Sequence, residues 1–269
     1  MMIRIAAVQM VSTPDVARNL ATARRLVAEA AEAGAALVAL PEYFCFMGHS
    51  ERDKLALAEA PDGDGPIQRA LAQAAREHAV WLVGGTLPLR IEGDREHVLN
   101  TNCVFAPDGS LAARYDKIHL FGFDNGAERY DEAAAIQAGS ETMALEIAPH
   151  RLRLGLSVCY DLRFPELYRA LGADLIAVPA AFTHTTGQAH WEVLLRARAI
   201  ENQAYVVAPA QRGRHENGRR TWGHSMIIDP WGEVLACLPE GEGVISAELD
   251  PARVADVRRR LPALAHRRL

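Results

Sequence analysis

Short apolar runs of strand length alternate with helix-length segments along most of the chain, and this alternation limits the folds available to it. Residues 3–10, 36–42 and 80–89 are such runs, with few polar interruptions. Continuous apolar composition is typical of strands that are covered on both faces. Because helix-length segments lie between the runs, the pattern predicts an α/β domain in which helices cover a sheet.

The segments between these runs carry helix signals. The first helix is predicted between Thr13 and Gly34, with Thr13 as the N-cap, Pro14 at the first helical position and Gly34 at the end. A second helix is predicted from about Pro66 to His78.

A hairpin interrupts the alternation in the middle of the chain. Residues 100–117 form two runs joined at Pro107-Asp108-Gly109, which is a strong turn signal. The alternation then resumes. The predicted elements are strands over residues 152–158, 173–179, 204–210 and 243–250, and helices that begin at Pro165, over residues 187–203 and over residues 251–260. The hairpin implies mixed rather than purely parallel sheets in a single α/β domain over residues 1–269.

Charge and cysteine usage exclude several classes of protein. The formal net charge is −5, without the basic stripe of a nucleic-acid binder. No apolar run approaches the roughly 18 residues of a membrane span, and the N-terminus opens directly as a strand without signal-peptide features. The cysteines lack metal-finger spacing and are expected to be reduced thiols of a cytoplasmic protein: Cys45, Cys103, Cys159 and Cys237.

Three ionisable residues follow three predicted strands directly. They are Glu42, Lys117 and Cys159. Strand ends at one edge of a sheet are where α/β folds build sites. A carboxylate can accept a thiol proton, and an ammonium lowers a thiol pKa and stabilises an oxyanion together with a backbone N–H, here that of Tyr160. Taken singly, such residues more often have other roles: Glu42 as a helix cap or surface partner, Lys117 as a solvated charge and Cys159 as a core residue.

Other chemistries find less support in the sequence. The histidines His119, His184, His190 and His224 lack the close pairing of a metal site and do not form a protease signature. The proposed thiol chemistry needs no cofactor and no metal.

Three segments together resemble the nitrilase, or carbon–nitrogen hydrolase, superfamily: LPEYF at residues 40–44, YDKIHLF at 115–121 and CYDLRFPELYRALGADLIAVPAAF at 159–182. The resemblance implies an α-β-β-α sandwich with two mixed sheets in one domain. It also implies a homodimer, and a triad of Glu42 as general base, Lys117 as oxyanion stabiliser and Cys159 as nucleophile.

The resemblance adds a second glutamate to the site. Many members of the superfamily carry one seven residues before a glycine, and Glu132 stands in that position ahead of Gly139. This chain has Ala138-Gly139 where the family often has Pro-Gly, so the local turn is expected to differ. The alternative for Glu132 is a solvated loop carboxylate.

The downstream half resembles the branch that contains deaminated glutathione amidases and ω-amidases. That likeness implies a small-molecule amide substrate whose carboxylate contacts Arg163 and Thr186, with Tyr160 beside it. A guanidinium forms two parallel hydrogen bonds with a carboxylate. A structural salt bridge is an equally good interpretation of Arg163. The expected substrate is deaminated glutathione, cleaved to 2-oxoglutarate and cysteinylglycine.

Two alternatives stay open at this stage. One is an ω-amidase acting on α-ketoglutaramate or α-ketosuccinamate. The other is a non-catalytic binding or redox-sensing protein on the same fold. The loops expected to decide specificity are residues 121–135 and 183–188.

Overall fold

A computed structural model describes residues 2–268 and shows two large mixed β-sheets. In the first sheet the strand order is β17-β1-β2-β3-β5-β4, and β6 pairs with the free side of β5. Its strands are β1 (Ile3–Gln9), β2 (Leu37–Ala39), β3 (Trp81–Val83), β4 (Leu87–Arg90), β5 (Val98–Phe105), β6 (Leu111–Asp116) and β17 (Gly243–Leu249). Strands β1, β2 and β3 run parallel, whereas β17, β5 and β6 add antiparallel pairs.

The second sheet has the order β16-β15-β12-β11-β10-β9, with parallel pairing between β10, β11 and β12. Its strands are β9 (Met143–Ile147), β10 (Leu152–Leu156), β11 (Leu175–Ala177), β12 (Tyr205–Ala208), β15 (Ser225–Ile228) and β16 (Val234–Leu238). Two small hairpins stand apart from both sheets: β7 (Gly122–Asp124) with β8 (Arg129–Asp131), and β13 (Arg212–Arg214) with β14 (Arg220–Trp222).

Five α-helices accompany the sheets in the described part of the chain. They are α1 (Val16–Glu32), α2 (Pro66–His78), α3 (Pro165–Leu171), α4 (His184–Asn202) and α5 (Pro251–Arg260). None of the helices within residues 2–268 combines the length and the apolar character needed to cross a membrane.

The hydrophobic core covers both faces of the buried strands, as their continuous apolar sequences predict. In β1, Ile5 and Ala7 pack with Leu154 and Val206 of the second sheet, whereas Val8 packs on the opposite face with residues of α1. Both faces of the strand are therefore covered, one by a sheet and the other by helices. The expected α/β sandwich with mixed sheets is confirmed.

The predicted start of the first helix is wrong by two residues. Asp15, not Thr13, is the N-cap, and its side chain accepts a hydrogen bond from the N–H of Arg18. Thr13 lies before the helix, where its N–H and hydroxyl both donate to Asn19 Oδ1. Both residue types cap helices well, so local sequence does not decide between them.

The strand predicted over residues 80–89 is interrupted. It divides into β3 and β4, which pair with β5 in registers that differ by one residue. The break occurs at Gly84 and Gly85, and Gly85 has a φ of 60°. A Cβ atom there would lie 2.2 Å from the carbonyl oxygen of Pro41, so glycine lets this segment approach the residue before Glu42.

Candidate active site

Glu42 lies just beyond β2, and both of its carboxylate oxygens are engaged. The side chain is fully buried. Oε1 accepts hydrogen bonds from Asn100 Nδ2 and Lys117 Nζ, each at 3.0 Å, and Oε2 accepts one from the N–H of Ala181 at 2.9 Å. Donors from β5 and from the segments that follow β6 and β11 therefore fix the orientation of this carboxylate.

Lys117 follows β6 and is also fully buried. Its Nζ donates to Glu42 Oε1 at 3.0 Å and to Glu132 Oε2 at 2.7 Å. Burial alone would lower the pKa of the ammonium, but the carboxylates of Glu132 and Glu42 outweigh it and raise the pKa above its ordinary value. Lys117 is therefore a permanent positive charge in the site.

Glu132 is buried, which excludes the solvated loop carboxylate considered from the sequence. Its Oε1 accepts from the Tyr43 hydroxyl at 2.7 Å, and its Oε2 accepts from Lys117 Nζ and from the N–H of Phe121 at 2.8 Å. Burial acts to raise the pKa of Glu132, but the charge of Lys117 and these donors lower it overall. The structure thus holds Glu132 as an anion against Lys117.

The Ala138-Gly139 pair packs closely against the backbone of the lysine segment. The N–H of Gly139 donates to the carbonyl oxygen of Lys117 at 2.9 Å. A Cβ atom at Gly139 would lie 2.2 Å from the carbonyl oxygen of Asp116, so the glycine allows this close approach. The absence of proline before it does not separate the segment from the lysine.

Cys159 begins a 3₁₀ turn, Cys159–Arg163, three residues after β10. Its φ is 49°, a left-handed conformation that costs a non-glycine residue about 1–2 kcal/mol. The N–H of Cys159 donates to the carbonyl oxygen of Pro179 at 2.9 Å, which ties the turn to the end of β11. The strained turn places the thiol beside Glu42 and Lys117. Because β10 belongs to the second sheet and β2 and β6 to the first, the site lies between the two sheets and not, as expected, at one edge of a single sheet.

The pKa of the Cys159 thiol is raised well above its ordinary value. Burial is the largest cause, and the carboxylate of Glu42 adds to it. Lys117 lowers the thiol pKa as expected, but its effect is smaller. The net shift of the thiol pKa is upward because one ammonium faces two carboxylates in a buried site.

Asp161 is a buried carboxylate that sequence inspection did not single out. Its Oδ2 accepts from the Tyr115 hydroxyl at 2.7 Å and from the N–H of Val158 at 2.8 Å. Its Oδ1 accepts from the N–H of His119 at 3.1 Å and lies 2.7 Å from His119 Nδ1. Asp161 thereby joins the lysine segment to the cysteine turn. The only sequence signal was its position two residues after the cysteine.

A small cavity next to Cys159 contains two of the expected substrate-binding residues. Tyr160 and Thr186 line it together with Cys159, Phe121 and Ala181. Thr186 is buried, and its hydroxyl lies 2.7 Å from that of Thr183. It belongs to the first turn of α4 rather than to a loop before the helix, which begins at His184 instead of residue 187.

Arg163 lies at the edge of this cavity. Its guanidinium carbon is 5.6 Å from the centre of the Tyr160 ring and 5.2 Å from that of Phe182. Nη1 lies 3.3 Å from His190 Nδ1. Within residues 2–268 Arg163 forms no ion pair with a carboxylate, so the structural salt bridge considered from the sequence is not found.

Comparison with known proteins gives concordant matches. The carbon–nitrogen hydrolase family profile matches residues 4–259. The deaminated glutathione amidase of Synechocystis sp. is 45% identical over 266 residues, which cover 97% of each chain. The human deaminated glutathione amidase is 41% identical over 270 residues, which cover 98% of this chain and 82% of the human one.

Solved structures agree with these matches. The NitFhit protein of C. elegans superposes with a TM-score of 0.90 at 41% identity, over 99% of this chain and 65% of NitFhit. Saccharomyces cerevisiae Nit3, a member of branch 10 of the nitrilase superfamily, superposes with a TM-score of 0.89 at 31% identity, over 100% of this chain and 97% of Nit3.

Proposed function

The chain belongs to the carbon–nitrogen hydrolase family, and we propose that it is a deaminated glutathione amidase that acts through a thioester on Cys159. The observation that carries the proposal is the buried cluster in which Lys117 contacts both Glu42 and Glu132 beside the Cys159 thiol. The relatives named deaminated glutathione amidase support the choice of substrate.

Acylation begins with a neutral thiol, because the pKa of Cys159 is raised. Glu42 accepts the thiol proton as sulfur attacks the amide carbonyl, so a free thiolate need not accumulate. Lys117 and the N–H of Tyr160 stabilise the oxyanion of the tetrahedral intermediate. Because Asn100 and Ala181 already hold the Glu42 carboxylate, little reorganisation accompanies the proton transfer.

Collapse of the intermediate breaks the C–N bond. Glu42 returns the proton to the leaving amine, cysteinylglycine departs, and the 2-oxoglutaryl group remains on Cys159 as a thioester. Water then attacks the thioester carbonyl while Glu42 accepts a proton from it. The second collapse releases 2-oxoglutarate, and the proton returns to the Cys159 sulfur, so the enzyme regains its starting state.

Glu132 acts in this scheme as a positioning residue. It holds Nζ of Lys117 through the 2.7 Å contact and is itself fixed by Tyr43 and by the N–H of Phe121. Arg163 and Thr186 are proposed to bind the keto-acid carboxylate of the acyl group. The support is that Thr186 lines the cavity beside Cys159, and that Arg163 lies next to the Tyr160 and Phe182 rings of its lining without a carboxylate partner among residues 2–268.

For the assembly we propose a homodimer, and for the location the cytoplasm. Large apolar side chains of α4 and of the turn before β16 are exposed: Val193 by 68%, Ile200 by 48% and Trp231 by 57%. Such a patch is typical of an interface, and light scattering after gel filtration tests the dimer. The four cysteines are free, as is usual in a reducing compartment, and cell fractionation tests the location.

A substrate panel tests the proposed reaction. Purified protein is incubated with deaminated glutathione, α-ketoglutaramate, α-ketosuccinamate and simple nitriles, and the products are identified by mass. Release of cysteinylglycine at the highest kcat/KM supports the proposal. Preferred release of ammonia from the keto-amides would instead identify an ω-amidase.

A further inference from the structure

A cleft of about 420 Å³ opens beside the Cys159 cavity and has no part in the mechanism above. Three segments form its walls: residues 46–54, the β7–β8 hairpin at residues 127–131, and the turn between β13 and β14 at residues 217–219. Cys159 is not among its lining residues. Arg219 lies in the wall between this cleft and the cavity.

The guanidinium of Arg219 has unused hydrogen-bonding capacity. Nη2 donates to the carbonyl oxygen of Ala181 at 3.0 Å, and the guanidinium carbon lies 5.1 Å from the centre of the Tyr130 ring. Its Nε is buried and finds no hydrogen-bond partner within residues 2–268, and no carboxylate there forms an ion pair with the side chain. A guanidinium has five N–H donors in a planar fork suited to a carboxylate.

The other charged side chains of the cleft either have partners or lie exposed at its rim. Lys54 pairs with Glu51, and Glu128 accepts a hydrogen bond from the Thr185 hydroxyl. Arg129 and Asp131 are exposed at the rim. Arg219 is therefore the partly buried cation of the cleft that lacks an acidic partner among the described residues.

Ala181 connects Arg219 directly to the catalytic carboxylate. Its N–H donates to Glu42 Oε2 at 2.9 Å, and its carbonyl oxygen accepts from Arg219 Nη2 at 3.0 Å. Standard backbone dimensions then place these two side-chain atoms within about 10 Å of each other. An extended dipeptide spans about 7 Å. A dipeptide whose amine is at hydrogen-bonding distance from Glu42 therefore reaches Arg219 with its far end.

The turn that carries Arg219 is held in place. The Arg219 N–H donates to Asn217 Oδ1 at 2.9 Å, and the His215 N–H donates to the Arg219 carbonyl oxygen at 2.9 Å. His215 is buried and lies 2.9 Å from both the Ser12 carbonyl oxygen and the Thr221 hydroxyl. The guanidinium is thus presented on a rigid support, which favours binding because little order is lost.

We propose that Arg219 binds the C-terminal carboxylate of the leaving dipeptide, in the cleft on the opposite side of Ala181 from the acyl cavity. This inference depends on the proposed amidase function, since only that substrate has a dipeptide as its leaving amine. Arg219 then selects dipeptide amides over primary amides, whose leaving group is ammonia and does not reach the cleft.

The experiment compares three substrates: deaminated glutathione, its analogue with the glycine carboxylate converted to a carboxamide, and α-ketoglutaramate. We expect the native protein to favour the carboxylate over the carboxamide by about 10- to 100-fold in kcat/KM. In Arg219→Gln, kcat/KM for deaminated glutathione is expected to fall by about the same factor. The values of kcat/KM for the other two substrates are expected to change little. Arg219→Lys recovers part of the loss. Arg220→Gln, which removes the exposed charge of the next residue at the start of β14, serves as the matched control.

Two results overturn the inference while leaving the amidase function intact. One is equal kcat/KM for the carboxylate and the carboxamide in the native protein, which needs no variant and so does not depend on folding. The other is an equal loss on all three substrates in a folded Arg219→Gln protein, which indicates a structural role alone. If the native protein releases neither cysteinylglycine from deaminated glutathione nor cysteinylglycinamide from the carboxamide analogue, the proposed function fails and the inference fails with it.

Discussion

Lys117 Nζ lies 2.7 Å from Glu132 Oε2, and both side chains are buried. The same nitrogen lies 3.0 Å from Glu42 Oε1, so one ammonium is shared between two carboxylates. The two carboxylates raise the pKa of Lys117, whereas burial, with Glu42 as the next cause, raises the pKa of the Cys159 thiol. The shared ammonium also determines how the site responds to mutation and pH.

Replacement of Lys117 by methionine is expected to destabilise the protein. The variant leaves two buried carboxylates without a cation, and breaking a buried pair in this way costs about 3–5 kcal/mol. Urea unfolding at pH 8 measures the loss. The double variant Lys117→Met/Glu132→Gln recovers part of it, because one unpaired charge is removed as well. Unfolding free energies of Lys117→Met that equal those of the native protein would contradict the account.

The contribution of Glu132 to the pH dependence of stability is expected to change sign when Lys117 is replaced by methionine. In the native protein the pKa of Glu132 is lowered, so its contribution is present above the ordinary carboxyl pKa and is lost as the pH falls through the lowered value. In Lys117→Met, burial without the cation raises the pKa of Glu132, so folding takes up a proton. The unfolding free energy of the variant therefore rises between pH 8 and pH 5, relative to the native protein.

Alkylation of Cys159 is expected to be slow at neutral pH. Because the thiol pKa is raised, the rate of iodoacetamide modification should still increase above the ordinary cysteine pKa of about 8.5. Glu42→Gln lowers the apparent pKa, since it removes a nearby negative charge and leaves the burial unchanged. Peptide mass spectrometry separates Cys159 from the partly exposed Cys237. A native rate that levels off below pH 8 would refute the raised pKa.

This result also changes how a non-catalytic or redox-sensing protein is distinguished from an enzyme. Reactive cysteines of enzymes are commonly acidic thiols. In the structure, burial and Glu42 suppress thiolate formation at rest, so slow alkylation fits an enzyme in which Glu42 removes the proton during attack. Turnover, rather than thiol reactivity, separates the two possibilities.

Asp161→Asn is expected to lower kcat with little change in KM. Asp161 orients the cysteine turn through the Val158 N–H and joins it to Tyr115 and His119, but it lies outside the substrate cavity. Loss of these charge-assisted hydrogen bonds should also reduce stability by about 1–3 kcal/mol. Asp256→Asn, which removes a surface carboxylate of α5, is the control. A rise in KM at unchanged kcat would argue against a positioning role.

Arg163→Gln is expected to raise KM for keto-acid amides by about 10- to 100-fold, the equivalent of one charged hydrogen bond. The free energy of unfolding should change by less than about 0.5 kcal/mol, because Arg163 has no carboxylate partner among residues 2–268. Arg259→Gln on α5 provides a control for the loss of a positive charge. Equal KM values for Arg163→Gln and the native protein would remove Arg163 from the substrate site.

The sequence predicts the architecture of the site better than its details. Glu42 and Cys159 each follow an apolar run and Lys117 follows the second strand of the predicted hairpin, and the structure places all three beyond the strands β2, β6 and β10. The prediction succeeds for Glu42 and Cys159 because the end of an apolar run of strand length marks where the backbone leaves the core. The family resemblance was needed to add Glu132, which lies in a polar segment without such a pattern.

The remaining features depend on contacts between distant segments. The β7–β8 and β13–β14 hairpins are short and polar, so no periodicity marks them. The partners of Glu42 at Asn100 and Ala181, 58 and 139 residues away, come together only when the sheets pack. The raised thiol pKa has the same origin, because it reflects the balance of burial and three charges that no single segment contains.

The central claim is that Cys159 carries an acyl group derived from deaminated glutathione. The most direct measurement is mass spectrometry of the native protein, quenched in acid during turnover, together with quantification of released cysteinylglycine and 2-oxoglutarate. We expect a 2-oxoglutaryl adduct on Cys159, equal amounts of the two products, and neither adduct nor products with Cys159→Ala. Product release by Cys159→Ala at the native rate, or no cleavage by the native protein, would contradict it.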